Sequence, residues 1–387
     1  MSEKTVKSPH KCPEFRRCGG CRFLEGSYED SLRKKDEFLR ALLGKFGEPK
    51  PIAGMADPFH YRNKVHHVLT RRKDGTVLSG FYEENSRRVV PAEHCLLEDE
   101  GAQAIIRTLE RLIRSFHYTV YEEERKTGLF RHVMIRKGFQ TGEVMVVLVA
   151  TSPILPGKND FVKALRKEHP EITTIVLNVN PYDTGMVLGT DNRTLFGPGF
   201  ILDRLAGLTF VISPTSFYQI NPVMTENLYA AVKRLAALKG TETVLDAYSG
   251  IGTIGLSLAS SAKAVIGVEL NGDAVRDAVR NARQNRIGNA RFYKGDATEF
   301  LGGLVRAKEH VDLIILDPPR SGSTEAFIRA AAEAAPDRVI YVSCGPESLS
   351  RDLELFEKVR YRVRSMEAYD MFPWTDHAEV VCLLDRA

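Results

Sequence analysis

The spacing of apolar and polar positions changes character along the chain. From about Thr215 onward, short apolar runs (TVLDA, AVIGVE, DLIIL, VIYVS) each stop at a turn, and helix-patterned stretches follow them. Runs of this length read as strands buried on both faces, and regular strand–helix alternation predicts a parallel, doubly wound sheet. A helix over Pro222–Leu238 leads into it. Upstream the pattern is mixed. A helix is predicted near Tyr28–Phe46, and HHVLTRRKDGTVLSGFYEENSRRVV alternates and turns at Asp74-Gly75, the mark of a hairpin. Helices are predicted over Gly101–Phe116 and Asn159–Glu168, and strands near Arg131–Arg136, Val144–Ala150 and Thr173–Val179. Weak strands follow, with turns expected at Asp191-Asn192 and Gly197–Gly199.

The chain is therefore expected to be α/β in three parts: a basic, Cys-bearing region over 1–95, an α+β region over 96–213, and a Rossmann-like domain over 214–387. There is no internal repeat. The 387 residues are 43% hydrophobic, enough for real cores, and no run of 18 apolar residues offers a membrane span. The polar start, MSEKTVKSPHK, has no apolar signal core, so a cytoplasmic location is expected. Net charge is only +4, yet residues 1–75 hold 17 Lys/Arg against 10 Asp/Glu, a bias that suits a phosphate backbone or, equally, a solvated basic face.

The ends of the C-terminal strands carry the chemistry. TVLDAYSGIGTIGLSLA is a strand, a Gly-rich turn and a helix, and Gly250 and Gly252 let backbone approach a ligand. No phosphate-binding lysine follows, which excludes an ATPase P-loop. Strand two ends at Glu269, which can accept from a ribose. Asp296 ends strand three, and strand four ends at Asp317-Pro-Pro. This series is the order expected of an S-adenosylmethionine-dependent methyltransferase. An NAD-binding reading gives the Asp-Pro-Pro end no role. Arg320 follows the prolines where amino-group methyltransferases carry an aromatic, which points to carbon methylation. Methylating C5 of uracil needs a nucleophile at C6 and a base for the C5 proton. Cys344 follows the next strand and should open into the same crevice, and Asp376, His377 and Glu379 near the C-terminus are candidate bases. Cys382, inside the last strand, reads as a core residue.

DPPRSG, sixteen residues, then VIYVSCGPES closely resembles a signature of the RNA uracil-C5 methyltransferase family; MFPWTDHAE resembles its second signature and PTSFYQIN (214–221) its motif ahead of the methyl-donor domain. The resemblance covers residues 10–387. It implies a seven-stranded class I methyltransferase domain, Cys344 as nucleophile and Glu379 as base. It also implies a donor site lined by Gln219, Tyr248, Thr253, Glu269, Asp296 and Asp317. Gly345, Ala378 and Thr253 depart from the family's commoner residues. Cys12, Cys18, Cys21 and Cys95 can hold zinc or an iron–sulfur cluster. Three close cysteines and a distant fourth resemble the family's [4Fe–4S] site, with His10 and His94 as bystanders.

The expected substrate is an RNA loop from which the uracil is flipped, 23S ribosomal RNA by resemblance, with the T-loop of transfer RNA as the alternative. The family often carries an N-terminal RNA-binding barrel, and with eleven residues before Cys12 that barrel is not expected in this sequence. RNA contacts are expected from YRNK (61–64), Arg71, Arg72 and Arg131, with Phe59, Tyr61 and Phe130 as stacking platforms. A non-catalytic iron–sulfur RNA-binding protein and a base-amino methyltransferase are the other readings. A monomer without an obligate protein partner is expected.

Overall fold

The C-terminal apolar runs pair into a single sheet in the computed structural model, which describes residues 12–182 and 185–387. The polar start and His10 lie outside those residues. The N-terminal region comprises α1 (Phe15–Cys18), α2 (Tyr28–Leu43) and strand β1 (Lys50–Ala53). Ser27 caps α2 by accepting from the Asp30 amide, and Gly44 ends it in a short 3-10 turn. A seven-stranded sheet follows, built from β2 (Lys64–Arg71), β3 (Val77–Tyr82), β4 (Val89–Pro91), β5 (Phe130–Lys137), β6 (Val144–Ala150), β7 (Ile172–Val179) and β8 (Asp191–Phe196), in the order β4-β3-β2-β5-β6-β7-β8. Helices α3 (Glu100–Ser115) and α4 (Lys158–Glu168) cover one face around Leu109, Ile113, Phe161 and Leu165.

Two expectations fail here. Asp191-Asn192 opens a strand, because β8 pairs with the buried edge of β7 and draws these polar residues into the ladder. The expected boundary at residue 95 also cuts this sheet, since β2 pairs with β5 across it. A hairpin alone is marginal in water and gains stability by joining a larger sheet.

The hairpin β9 (Ile201–Leu205) and β10 (Leu208–Ile212) leads to α5 (Pro222–Ala236). The C-terminal domain then runs β11 (Thr243–Ala247), α6 (Thr253–Leu258), β12 (Ala264–Glu269), α7 (Gly272–Gln284), β13 (Ala290–Lys294), α8 (Ala297–Ala307), β14 (Leu313–Leu316), α9 (Glu325–Ala334), β15 (Arg338–Ser343), α10 (Pro346–Lys358), β16 (Tyr361–Tyr369) and β17 (Glu379–Arg386). Its sheet has the order β1-β16-β17-β15-β14-β11-β12-β13. The expected seven strands are present, and β1 from the N-terminal region adds an eighth at the edge, parallel to β16. The reversal of strand order at β11–β14 is the topological switch point where such sheets bind ligands. The antiparallel β17 slots between β15 and β16.

The two sheets share one core. Met134, Met145 and Val147 of the first pack with Phe210, Leu228 and Ile340 of the hairpin, α5 and the second sheet. The N-terminal region is locked on by a buried ion pair: Lys35 Nζ donates to Asp370 Oδ1 at 2.5 Å and to the Phe372 carbonyl at 3.1 Å, and the Tyr28 hydroxyl donates to Asp370 Oδ2 at 2.7 Å. Lys35 and Asp370 are 2% and 0% exposed at the side chain. Removing one partner leaves the other charged and unpaired in the core, so Asp370→Ala is expected to cost about 3–5 kcal/mol in denaturant unfolding, and a Lys35→Met/Asp370→Leu double variant much less.

Candidate functional site

The site lies where the strands of the C-terminal sheet end. Cys344 directly follows β15, and Gly345 and Pro346 open α10. Added bulk at Gly345 would meet the Arg320 carbonyl at 2.7 Å, so this glycine lets the thiol loop lie against the Asp-Pro-Pro-Arg turn. Glu379 begins β17 and is buried. The antiparallel register pairs Ser343 with Val380, and Cys344 and Glu379 are the next residues out at that same end. The two side chains therefore share one end of the sheet, although 34 residues of chain separate them.

Electrostatics report the same proximity. Burial, then the Glu379 and Asp317 carboxylates, push the Cys344 thiol up to about 11, against the opposing pull of Arg320. Burial, then Asp317, raises Glu379 to about 8, and burial raises Asp317 to about 7. Glu379 Oε2 has no hydrogen-bond partner among the described residues. A buried carboxyl oxygen without a donor is costly and marks a place for a ligand.

The other expected residues are distributed around the crevice. Tyr248, after β11, adopts a left-handed backbone (φ 65°), as do Gly250 and Gly252. Such a conformation is strained for tyrosine and clusters at functional sites. Any Cβ on Gly252 would strike the Phe292 ring at 2.7 Å. Glu269 accepts from the Gly250 amide at 3.1 Å and the Asn271 amide at 2.7 Å. Asp296 caps α8 by accepting from Thr298 and Glu299. Thr253 Oγ1 lies 2.6 Å from the Tyr229 hydroxyl. Gln219 is buried, and its carbonyl accepts from Asn63 Nδ2 at 3.0 Å.

Two residues, Asp246 and Tyr229, carried no signal strong enough to single them out. Asp246, fully buried inside β11 and raised to about 7 by burial, adds a further carboxyl and accepts from the Gly255 amide. An acid inside the apolar run TVLDA was the available clue. Tyr229 sits on α5, far away in sequence. Arg320 Nη2 lies 2.6–2.7 Å from the His377 ring nitrogens at the mouth. Of the candidate bases, Glu379 faces the thiol, whereas Asp376 lies 4.0 Å from Arg22 and is exposed.

A second constellation lies in the N-terminal region. Cys12, Cys18, Cys21 and Cys95 line one cavity of about 370 Å³, together with Arg62. Arg62 Nε is buried without a partner among the described residues. No three His, Cys, Asp or Glu side chains among the described residues converge closely enough for a single metal ion. The cavity wall continues into a cluster of Leu24, Tyr28, Tyr61, Leu97 and Trp374. Two expected stacking platforms are core residues: Tyr61, in this cluster, is 5% exposed, and Phe130, in the core under α3 and α4, is 0% exposed. Arg71 is also committed, donating to the Tyr118 carbonyl at 2.7 Å.

The family model described as tRNA (Uracil-5-)-methyltransferase matches residues 27–387. An uncharacterised RNA methyltransferase of Halalkalibacterium halodurans is 40% identical over 389 residues, covering 99% of this chain and 84% of the relative. One from Enterococcus faecalis is 41% identical over 337 residues, covering 87% and 74%. Among solved structures, the tRNA (uracil-54, C5)-methyltransferase of Pyrococcus abyssi, in complex with S-adenosyl-L-homocysteine, is similar with a TM-score of 0.80 and 29% identity, over 94% of this chain and 85% of that one.

With its thiol held high, Cys344 should be alkylated by iodoacetamide slowly at pH 7, and the rate should still be climbing above pH 9. Glu379→Gln removes one of the negative charges and should move that rise to lower pH, as read by peptide mass spectrometry.

Proposed function

The chain belongs to the tRNA (uracil-5-)-methyltransferase family, and from that premise we propose that it methylates C5 of a uridine in 23S ribosomal RNA through a covalent bond between Cys344 Sγ and C6 of the base. It is an S-adenosylmethionine-dependent RNA methyltransferase. The observation that supports the mechanistic reading most is the Ser343–Val380 pair, which brings Cys344 and Glu379 out at one end of β15 and β17, where the Glu379 charge raises the Cys344 thiol.

Bound S-adenosylmethionine supplies the methyl group. The residues fit a cationic sulfonium ligand: Asp246, Glu269, Asp317 and Glu379 gather carboxyls at one crevice, two of the turn glycines leave room for close backbone approach, and a nearby positive charge favours ionised carboxyls. We assign Gln219, Tyr248, Thr253, Glu269, Asp296 and Asp317 to that ligand.

C5 of uracil is a poor nucleophile. The Cys344 thiolate adds to C6 and moves electron density onto C5, which takes the methyl group. The Glu379 carboxylate then removes the C5 proton. The C–H electron pair restores the C5–C6 double bond and expels the thiolate. Arg320 opposes the burial that holds the thiol neutral, and its guanidinium is placed to meet a phosphate or a base carbonyl. The target base must leave its stack, at a cost of a few kcal/mol that is smallest in a loop.

The four cysteines are proposed to hold a [4Fe–4S] cluster. A zinc ion needs four sulfurs about 2.3 Å from one point, and these side chains are not gathered that tightly. A cavity of about 370 Å³ ringed by four thiols, with Arg62 and its Nε, unpartnered among the described residues, beside them, suits a larger group whose four-thiolate complex carries net negative charge. The cluster's role here is structural. Held by these four cysteines, a cluster would brace the segment that packs on Trp374, just ahead of Glu379.

Transfer RNA is the second reading for the substrate, favoured by the similarity to the Pyrococcus abyssi enzyme, which acts on uracil 54 of transfer RNA. Nucleoside mass spectrometry of digested RNA from a deletion strain separates them: loss of 5-methyluridine from ribosomal RNA is expected, and loss from transfer RNA alone would select the second reading. Cys344→Ala should abolish methylation, and RNA with 5-fluorouridine at the target should trap wild-type protein covalently, because fluorine cannot leave as a proton does. Protein purified without oxygen should hold about four irons and four labile sulfides per chain, and Cys95→Ser should lower both.

A further inference from the structure

The face of the first sheet turned towards the C-terminal domain carries a second cavity, of about 580 Å³, that the reaction above does not use. Two imidazoles line it. His66 on β2 and His132 on β5 are tilted against each other with ring centroids 5.0 Å apart. Among the described residues, His66 Nε2 and His132 Nδ1 have no hydrogen-bond partner, and His132 is only 8% exposed. A β-bulge between Phe130 and His132 brings Arg131 to the same cavity. Arg131 is 5% exposed, donates through Nη1 to the Asn180 carbonyl at 3.2 Å and the Tyr182 carbonyl at 2.5 Å, and keeps Nε unpartnered.

These groups ask for a particular chemistry. Burial, with the charges of His132, His67 and Lys64, holds His66 near 3; burial, then Arg131, holds His132 near 4. Both rings are therefore neutral at physiological pH, each with one N–H and one bare nitrogen. A neutral pair is a poor site for a phosphate, and of the two arginines that line the cavity Arg87 is ion-paired with Glu123 at 3.8 Å while Arg131 is turned onto backbone carbonyls. A flat, uncharged group with donors and acceptors on its edge fits, and an unstacked nucleobase is such a group.

Position gives the source. The register sets Lys64 opposite Arg136 and Val68 opposite His132 on this face. At the Lys64–Arg136 end the sheet holds the loop carrying Gln219: Arg136 donates to the Ser216 carbonyl and Asn63 to the Gln219 carbonyl. His66 and His132 lie two and four residues further along, roughly 7 to 13 Å at about 3.3 Å per residue. A few unstacked nucleotides span that distance. We propose that the His66–His132 cavity receives a second splayed base of the same RNA, a near neighbour of the methylated uridine. The proposal rests on the RNA-methylating reading above.

The test uses a stem–loop RNA that the wild-type protein methylates, and a series in which each nucleotide within four of the target is made abasic. Affinity is measured for wild type and for His66→Ala/His132→Ala, with S-adenosylmethionine binding as the check that the variant is folded. One abasic position other than the target is expected to weaken wild-type binding about tenfold. The variant should bind the intact RNA about tenfold more weakly and be indifferent to that same abasic position. A His66→Phe/His132→Phe variant, which keeps stacking area, should recover most of the loss. Losses that simply add, no sensitive position in the wild type, or one equivalent of zinc bound at the two histidines and lost in the Ala variant would each overturn the proposal. Failure of the parent reading differs from all three: no RNA would be methylated and 5-fluorouridine RNA would form no adduct.

Discussion

The antiparallel insertion of β17 between β15 and β16 is the constraint on which the site depends. A purely parallel sheet would carry the end of every strand to the same edge only in the forward sense, so a thiol at the end of one strand would find no acid at the start of another. Because β17 runs backwards, its start lies beside the end of β15, where Ser343 pairs with Val380, and Cys344 and Glu379 are the next residues out at that same end. The same edge receives Asp317 from β14 and Asp246 from within β11, whose Oδ2 takes the Gly255 amide. Burial holds Asp246, Asp317 and Glu379 at about 7, 7 and 8, so these carboxyls are poised around neutrality.

Holding β17 in place is the work of residues remote from the chemistry. The turn before it carries Trp374, which is fully buried in a left-handed backbone (φ 68°). Its indole donates to the Pro58 carbonyl at 3.1 Å and stacks on Phe59 at 5.3 Å, and its own carbonyl accepts from the Arg22 and Phe23 amides. Lys35 and Tyr28 clamp Asp370 on the strand side of the same turn. The cysteine-lined cavity packs behind this cluster. In this arrangement the N-terminal segment is a brace for the C-terminal strand.

Much of this was legible in the chain. The C-terminal strands and helices followed from apolar runs ended by turns, and their order from the regularity of alternation, because a doubly wound sheet leaves few other ways to connect them. The expectation that Cys344 lies at a strand end was local and holds. Its facing Glu379 depends on antiparallel pairing between distant segments, which periodicity does not encode. The edge strand β1 escaped for the same reason: KPIA is too short to announce itself, and it becomes a strand through β16. Tyr61 and Phe130, expected as stacking platforms, lie in the core, because an aromatic beside or within an alternating run presents the same pattern whether it meets solvent or packed side chains. The histidine pair was invisible, since His66 and His132 are far apart in sequence and only the β2–β5 register joins them.

The central claim is that Cys344 and Glu379 act on the two adjacent carbons of one base. The most direct measurement follows Glu379→Gln on RNA with ordinary uridine at the target and S-adenosylmethionine present. The thiol should still add and the methyl group should still transfer, but the C5 proton has no acceptor. A protein–RNA adduct on the Cys344 peptide should therefore persist, with little free 5-methyluridine released. Release of 5-methyluridine at the wild-type rate, or an adduct on any other residue, would contradict the account.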